Sequence, residues 1–240
     1  MTAYSATFQP KHLQQLRAHL LRDDGCEHAA YVLFNQANIG FEPWDRQAHR
    51  KYLSAEVIPV ADEYVLESTA NIISWTTTSY VAALKRAEAR NQRVAIVHNH
   101  PAGYPTFSSQ DDDNEPYLAQ MAINRNGSES PLLSFILTAD GVLTGRIWLS
   151  PKYQQPLRMI RVIGDRFEFH YPHRSHGQTP TAFQRQALAF GETLNQDLGQ
   201  LRVGRRRLRR NRQCGRHTVA APGHRQHSPD RQRHCRCNQP

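Results

Sequence analysis

The chain has 240 residues, 39% of them hydrophobic, and a formal net charge of +9. That length is ample for one buried core. With no secretory leader and no run of about 18 apolar residues, a cytoplasmic protein without a membrane partner is expected. The positive charge sits at one end: residues 202–240 hold 12 Arg against one Asp, leaving residues 1–201 at −2, so charge gives the folded part no nucleic-acid partner.

Leu13, Leu16, Leu20 and Leu21 recur at helical spacing and predict a helix over residues 10–22, stopped by Asp23-Asp24-Gly25. A strand is expected from Glu27 to Phe34, then a polar loop over residues 35–50, then a strand from Leu53 to Val60. Ser74–Arg90 reads as a helix with Tyr80, Leu84 and Ala87 on one face and capping candidates among Thr76–Ser79. Val94–Val97 reads as a buried strand, and Asn114–Asn124 as a short helix with Pro116 in its first turn. Leu132–Thr138 and Val142–Leu149 form a predicted hairpin about Ala139-Asp140-Gly141. Residues 151–180, with Pro151, Pro156, Pro172 and Pro180, read as a connector, and Thr181–Gly199 returns to helical pattern. His170, His173 and His176 lie in that connector, but no carboxylate or Cys is organised with them and Pro172 breaks a helix there, which argues against a metal site.

The chemistry concentrates at His98-Asn99-His100-Pro101, at the end of the run Val94-Ala95-Ile96-Val97. Side chains alternate along a strand, so His98 and His100 share a face. Asp111, eleven residues beyond His100, can return on the next element as an oxygen ligand. Two imidazoles, one carboxylate and an open fourth position make a catalytic zinc site, whose bound water is acidified toward neutrality. His-x-His alone is two polar residues at a strand end; Pro101 and Ser108-x-x-Asp111 narrow the reading. Asp112 and Asp113 compete with Asp111, and only spacing favours Asp111; acids also suit the start of the helix that follows.

The pattern His-x-His-Pro, a short loop, then Ser-x-x-Asp resembles that of the JAB/JAMM (Mov34/MPN/PAD-1) metallopeptidase family, of the prokaryotic JAB–ThiF type, over roughly residues 8–150. The resemblance implies an α/β fold, a JAB/MPN-like (cytidine-deaminase-like) mixed sheet flanked by helices. It implies Zn2+ held by His98, His100 and Asp111. It also calls for an acid on an early strand, which Glu27 matches; that carboxylate would take a proton from the metal-bound water and hand it to the leaving amine. Ser108 would donate a hydrogen bond to the oxygen of the tetrahedral intermediate. Read by themselves, Glu27 is a solvated residue at a strand start and Ser108 a helix or turn cap. The implied activity is a zinc isopeptidase or peptidase acting on ubiquitin-like protein conjugates or precursors. A RadC-like DNA-associated metalloprotein is an alternative, since that family shares the metal motif and the His-Asn-His-Pro-x-Gly-x-Pro wording of residues 98–105. Against it, no helix-hairpin-helix-like segment precedes the domain, and the hairpin ending Gly145-Arg146-Ile147-Trp148 resembles the JAB–ThiF arrangement. Metal-free Mov34/MPN scaffolds typically lose ligands that this chain keeps.

From Arg205 to Pro240 the large apolar residues are only Leu208 and Val219, and Lys is absent. Such a segment cannot bury a core and is expected to be a disordered basic tail. Its Cys214, Cys235 and Cys237 make no paired zinc-knuckle pattern. A nucleic-acid-binding arm or a Cys/His metal tract is the usual reading of such composition. Read one base later with allowed codons, however, the segment from Arg205 becomes a hydrophobic strand, a glycine-rich turn, a helix and a second strand ending in acids. That product resembles the opening of the ThiF/MoeB adenylating enzymes, which activate ubiquitin-like proteins. The expected organisation is therefore a metallohydrolase domain over 1–150, a connector with a helix over 151–204, and over 205–240 the out-of-frame remnant of an adenylating domain lost from the same chain. Cys26, the sole Cys before that tail, suits a reducing compartment.

Overall fold

A computed structural model of the chain describes residues 2–42, 46–165, 167–172 and 181–190. The chain divides into two units, residues 1–175 and 176–240. The first holds strands β1 (Thr2–Phe8), β2 (Ala29–Ile39), β3 (Ala48–Pro59), β4 (Val65–Ser68), β5 (Ile73–Trp75) and β6 (Arg93–His100). It continues with β7 (Leu132–Thr138), β8 (Leu143–Ser150), β9 (Tyr153–Pro156), β10 (Met159–Ile163) and β11 (Phe167–His170). Its helices are α1 (Pro10–Leu20), α2 (Thr77–Glu88) and α3 (Ser109–Asn126). Nine strands make one sheet in the order β11-β10-β1-β3-β2-β6-β7-β8-β9, and β4 and β5 pair separately. The large sheet is mixed: β1 runs parallel to β3 and β10, and β6 parallel to β7, while the remaining pairs are antiparallel.

Each face of the sheet has its own core. On one face, Leu13, Leu16 and Leu20 of α1 pack with Phe8, Phe34, Tyr52 and Phe135. Phe8 meets the rings of Phe34 and Phe135 edge-on, at 5.3 and 5.2 Å, the geometry that the aromatic quadrupole favours. On the other face, Tyr80, Leu84 and Ala87 of α2 and Ala119 and Ala122 of α3 cover Tyr31, Leu33, Ile96 and Trp148. This is the expected α/β fold, a mixed sheet flanked by helices.

Several elements depart from the sequence reading. Residues 2–8, given no element from sequence, form an interior strand whose Tyr4, Ala6 and Phe8 fill the α1 side. Residues 35–39 and 48–50 of the expected loop are strand, because β2 and β3 continue as a long hairpin paired out to Ile39 and His49. Ile73–Trp75 is strand, and α2 starts only at Thr77. Helix α3 starts at Ser109, so Pro116 lies in its interior and not in its first turn. There its ring nitrogen cannot donate to the Asp112 carbonyl. The stretch expected as a connector instead supplies β9, β10 and β11, with β10 pairing β1 through Ser5 and Met159. Of the three connector histidines, His170 lies on β11, and His173 and His176 fall outside the described residues.

In the second unit, a 3-10 turn at Thr181–Phe183 leads into helix α4 (Gln184–Phe190). The rest of the helix expected to reach Gly199, and the whole tail from Arg205, lie outside the described residues. Among the described residues no helix is long and apolar enough to cross a membrane.

Gly145 on β8 offers a test of the packing. A Cβ there would stand 2.6 Å from the Phe135 ring and 3.0 Å from Ile160. Gly145→Ala is expected to destabilise the domain by about 1–3 kcal/mol, as overpacking of a tight core does. Thermal melting checks this, and an unchanged midpoint would refute the close packing.

Candidate metal centre

Strand β6 delivers His98 and His100 to the face covered by α2 and α3, because Val94, Ile96, His98 and His100 alternate with Ala95, Val97 and Asn99. The Nε2 atoms of the two histidines are 3.1 Å apart. His98 Nε2 lies 3.5 Å from Asp111 Oδ1. One ligand atom from each of His98, His100 and Asp111 falls within 4.8 Å of the others. Both histidines are buried, and the Asp111 side chain is 19% exposed.

His100 and Asp111 are each turned toward the common point by a second contact. His100 Nδ1 is 2.8 Å from the Tyr104 carbonyl oxygen, which can only accept. The ring proton therefore sits on Nδ1 and the Nε2 lone pair is left for a cation. Ser108 caps α3 and forms a reciprocal capping box with Asp111. The Ser108 N–H and hydroxyl both donate to Asp111 Oδ2, each at 2.8 Å. With Oδ2 so occupied, Oδ1 is the oxygen that faces His98.

The electrostatics suit a cation. Burial pushes Asp111 up, but the hydrogen bond and charge of His98, with the two Ser108 donors, outweigh it and hold the carboxyl well below its ordinary value. Burial likewise disfavours His98 as a cation, yet Asp111, Glu27 and Glu115 raise it overall. His100 is lowered, by burial and by His98. Zinc bonds of about 2.0–2.1 Å at tetrahedral angles place neighbouring ligand atoms about 3.3–3.4 Å apart; the His98–His100 and His98–Asp111 separations are 3.1 and 3.5 Å, and the His100–Asp111 pair lies within 4.8 Å. Two nitrogens and one oxygen, with the His100 tautomer fixed and two carboxylates close by, fit a divalent zinc-like ion.

Glu27 stands beside this group. Its Oε1 is 3.9 Å from His100 Nε2, and its pKa is pushed up to about 7, chiefly by burial, with His98 opposing and Asp111 adding. The carboxylate is buried at 6% exposure and is not a solvated strand start. Ser108 is a helix cap as its residue type suggests, with its hydroxyl directed at Asp111. Of the competing acids, Asp112 pairs with Arg146 and Asp113 is exposed.

Two features escaped the sequence reading. The first is a cavity of about 330 Å³ that opens beside Glu27, His98 and Asp111 and is walled by Trp75, Tyr80 and Leu118. The second is a buried polar cluster in which Glu115 accepts from Arg146 Nε at 2.7 Å, Ser134 Oγ at 2.5 Å and Trp148 Nε1. The Arg146 guanidinium lies 3.8 Å over the Phe107 ring. An Arg on a strand ordinarily reads as a surface residue, so no local pattern signals it.

An α/β sheet here presents two strand histidines and a capped helix carboxylate to one point, a group that could hold a metal ion. The family model described as prokaryotic homologs of the JAB domain matches residues 9–150. The chain belongs to this family. Among solved structures, it is similar to protein DSY2949 from Desulfitobacterium hafniense, at 16% identity and a TM-score of 0.42, over 67% of this chain and 94% of that one. No curated protein matches the chain.

Wild-type protein is expected to bind one Zn2+ per chain, and His98→Ala or Asp111→Ala to lose it. Ser108→Ala should keep the fold at a cost of about 1 kcal/mol for the lost cap and weaken zinc affinity about 10–100-fold, as loss of a ligand-orienting partner does. Competition titration with a chromogenic chelator measures all three. Undiminished affinity in the His98 and Asp111 variants would remove the site.

Proposed function

We propose that this chain is a zinc-dependent isopeptidase or peptidase acting on ubiquitin-like protein conjugates or their precursors. The observation that carries the reading is the placement of the Glu27 carboxylate beside the His98, His100 and Asp111 donor group, at the edge of a cavity of about 330 Å³. Zinc bound there would polarise the scissile carbonyl and acidify a water. Glu27 takes the proton from the attacking water and passes it to the leaving amine. Burial raises its affinity for that proton above that of an ordinary carboxylate, which suits a group that must both accept and release it. Asp111 and His100 stay unprotonated at the atoms facing the site, through the Ser108 donors and the Tyr104 carbonyl. Ser108 can donate to the carbonyl oxygen of a bound substrate only after its hydroxyl turns away from Asp111. The out-of-frame resemblance of the segment from Arg205 to an adenylating domain supports the same substrate class.

Glu27→Gln is the direct test. It is expected to leave Zn2+ stoichiometry at one and to lower turnover of a ubiquitin-like protein bearing a C-terminal aminomethylcoumarin amide by at least about 100-fold. Full turnover in that variant would overturn the assignment. Activity depends on the ionised form of Glu27, so it rises with pH through the Glu27 pKa. That value is about 7 without metal, against the ordinary 4.5, and a bound dication lowers it. The acid limb of kcat/KM is therefore expected between these two values. A rate flat across that window would show that another group takes the proton.

A further inference from the structure

Glu27 lies on irregular backbone, between the turn at Asp23-Asp24 and the start of β2, so no ladder of its own strand fixes it. Its position comes instead from two other elements. From the β4–β5 hairpin, the Thr69 carbonyl accepts from the Glu27 N–H at 2.7 Å, and the Ser68 hydroxyl donates to the Glu27 carbonyl at 2.7 Å. From β6, the Asn99 side chain grips the residues on either side. Asn99 Nδ2 donates to the Cys26 carbonyl at 3.2 Å, and Asn99 Oδ1 accepts from the His28 N–H at 2.5 Å. The Asn99 N–H also donates to the His28 carbonyl at 3.2 Å.

We infer that Ser68 and Asn99 are positioning residues for Glu27, forming a two-sided main-chain clamp that sets where its carboxylate stands relative to the donor group. Asn99 sits between the two histidines and is almost wholly buried, so its amide ties the base to the strand that carries the ligands. Ser68 ties the base to a hairpin whose Ile73, Ser74 and Trp75 line the cavity. The inference rests on the proposed role of Glu27 as the base.

Ser68 gives the cleaner test, because Asn99 adjoins both histidines. Ser68→Ala removes the donor to the Glu27 carbonyl, and Ser68→Thr keeps a hydroxyl. In metal-free protein, the Glu27 amide is expected to exchange with solvent about five- to tenfold faster in Ser68→Ala, the effect of losing one hydrogen bond. Zn2+ affinity should be unchanged. With the coumarin amide as probe, kcat should fall about tenfold at constant KM, as a slightly misplaced catalytic group produces. Ser68→Thr should restore both exchange and kcat. Wild-type exchange and kcat in Ser68→Ala would overturn the clamp, as would a loss of kcat that merely parallels lost Zn2+ affinity and a lower melting temperature. Should the wild type turn over no such probe, the functional reading falls and exchange alone decides: a raised rate restored by Thr supports the clamp, and an unchanged rate ends it.

Discussion

The period-two alternation of one buried strand is the constraint on which the site depends. Strand β6 lies between antiparallel β2 and parallel β7, with every residue from Val94 to His100 buried. Ala95 and Val97 are committed to the core under α1, and Val94 and Ile96 to the core under α2 and α3. A slip of one residue would exchange the two sets, sending the imidazoles to the α1 side and Asn99 to the cavity side. The apolar residues before the histidines thus fix the face on which the ligands emerge. The same alternation puts Asn99 on the opposite face, where it holds the segment carrying Glu27.

The third donor arrives on a helix that is anchored chiefly by polar contacts. Helix α3 buries few apolar side chains, Ala119 and Ala122 among them. Its first turns are held by Ser108 with Asp111, by Asp112 with Arg146, and by Glu115 with Arg146, Ser134 and Trp148. Arg146 and Glu115 are nearly closed to solvent. Removing one partner of such a pair leaves a buried charge, at a cost of about 3–5 kcal/mol. These bonds are also directional, which apolar packing is not. They fix the rotation of α3, and rotation decides which acid reaches the histidines. Successive helix residues turn by about 100°, so with Asp111 bound back to its cap, Asp112 points to Arg146 and Asp113 to solvent.

That rotation explains why spacing made Asp111 legible in the sequence, while the geometry that distinguishes it from its two neighbours was not. The long periodic elements, α1, α2, β6 and the β7–β8 hairpin, could be read because their own residues carry the pattern that buries them. Strands β9, β10 and β11 could not: they are short and mostly half-exposed. Strand β10 becomes a strand by pairing with β1, far away in the chain. Strand β1 does alternate Tyr4, Ala6 and Phe8 against Ser5 and Thr7, a signal present but brief. Glu27 and Ser108 were legible only through resemblance. Taken singly, a Glu before a strand and a Ser before a helix have bland roles, and for Ser108 the bland role is the one its hydrogen bonds display.

Charge closes the account of the site. Glu115 is answered by Arg146 within its own cluster, which leaves Asp111 and Glu27 as the carboxylates facing the two imidazoles. Asp111 raises the pKa of Glu27, so without a cation the two acids oppose each other's ionisation. Protonation of His98 relieves part of that repulsion, which is why its pKa is raised despite complete burial. A dication at the shared point would offset both carboxylates, free His98 to bind through its lone pair, and bring Glu27 toward its ionised form. The pull for a divalent ion is therefore built from four side chains of the folded domain. It owes nothing to the +9 of the whole chain, which comes from the arginines after residue 201.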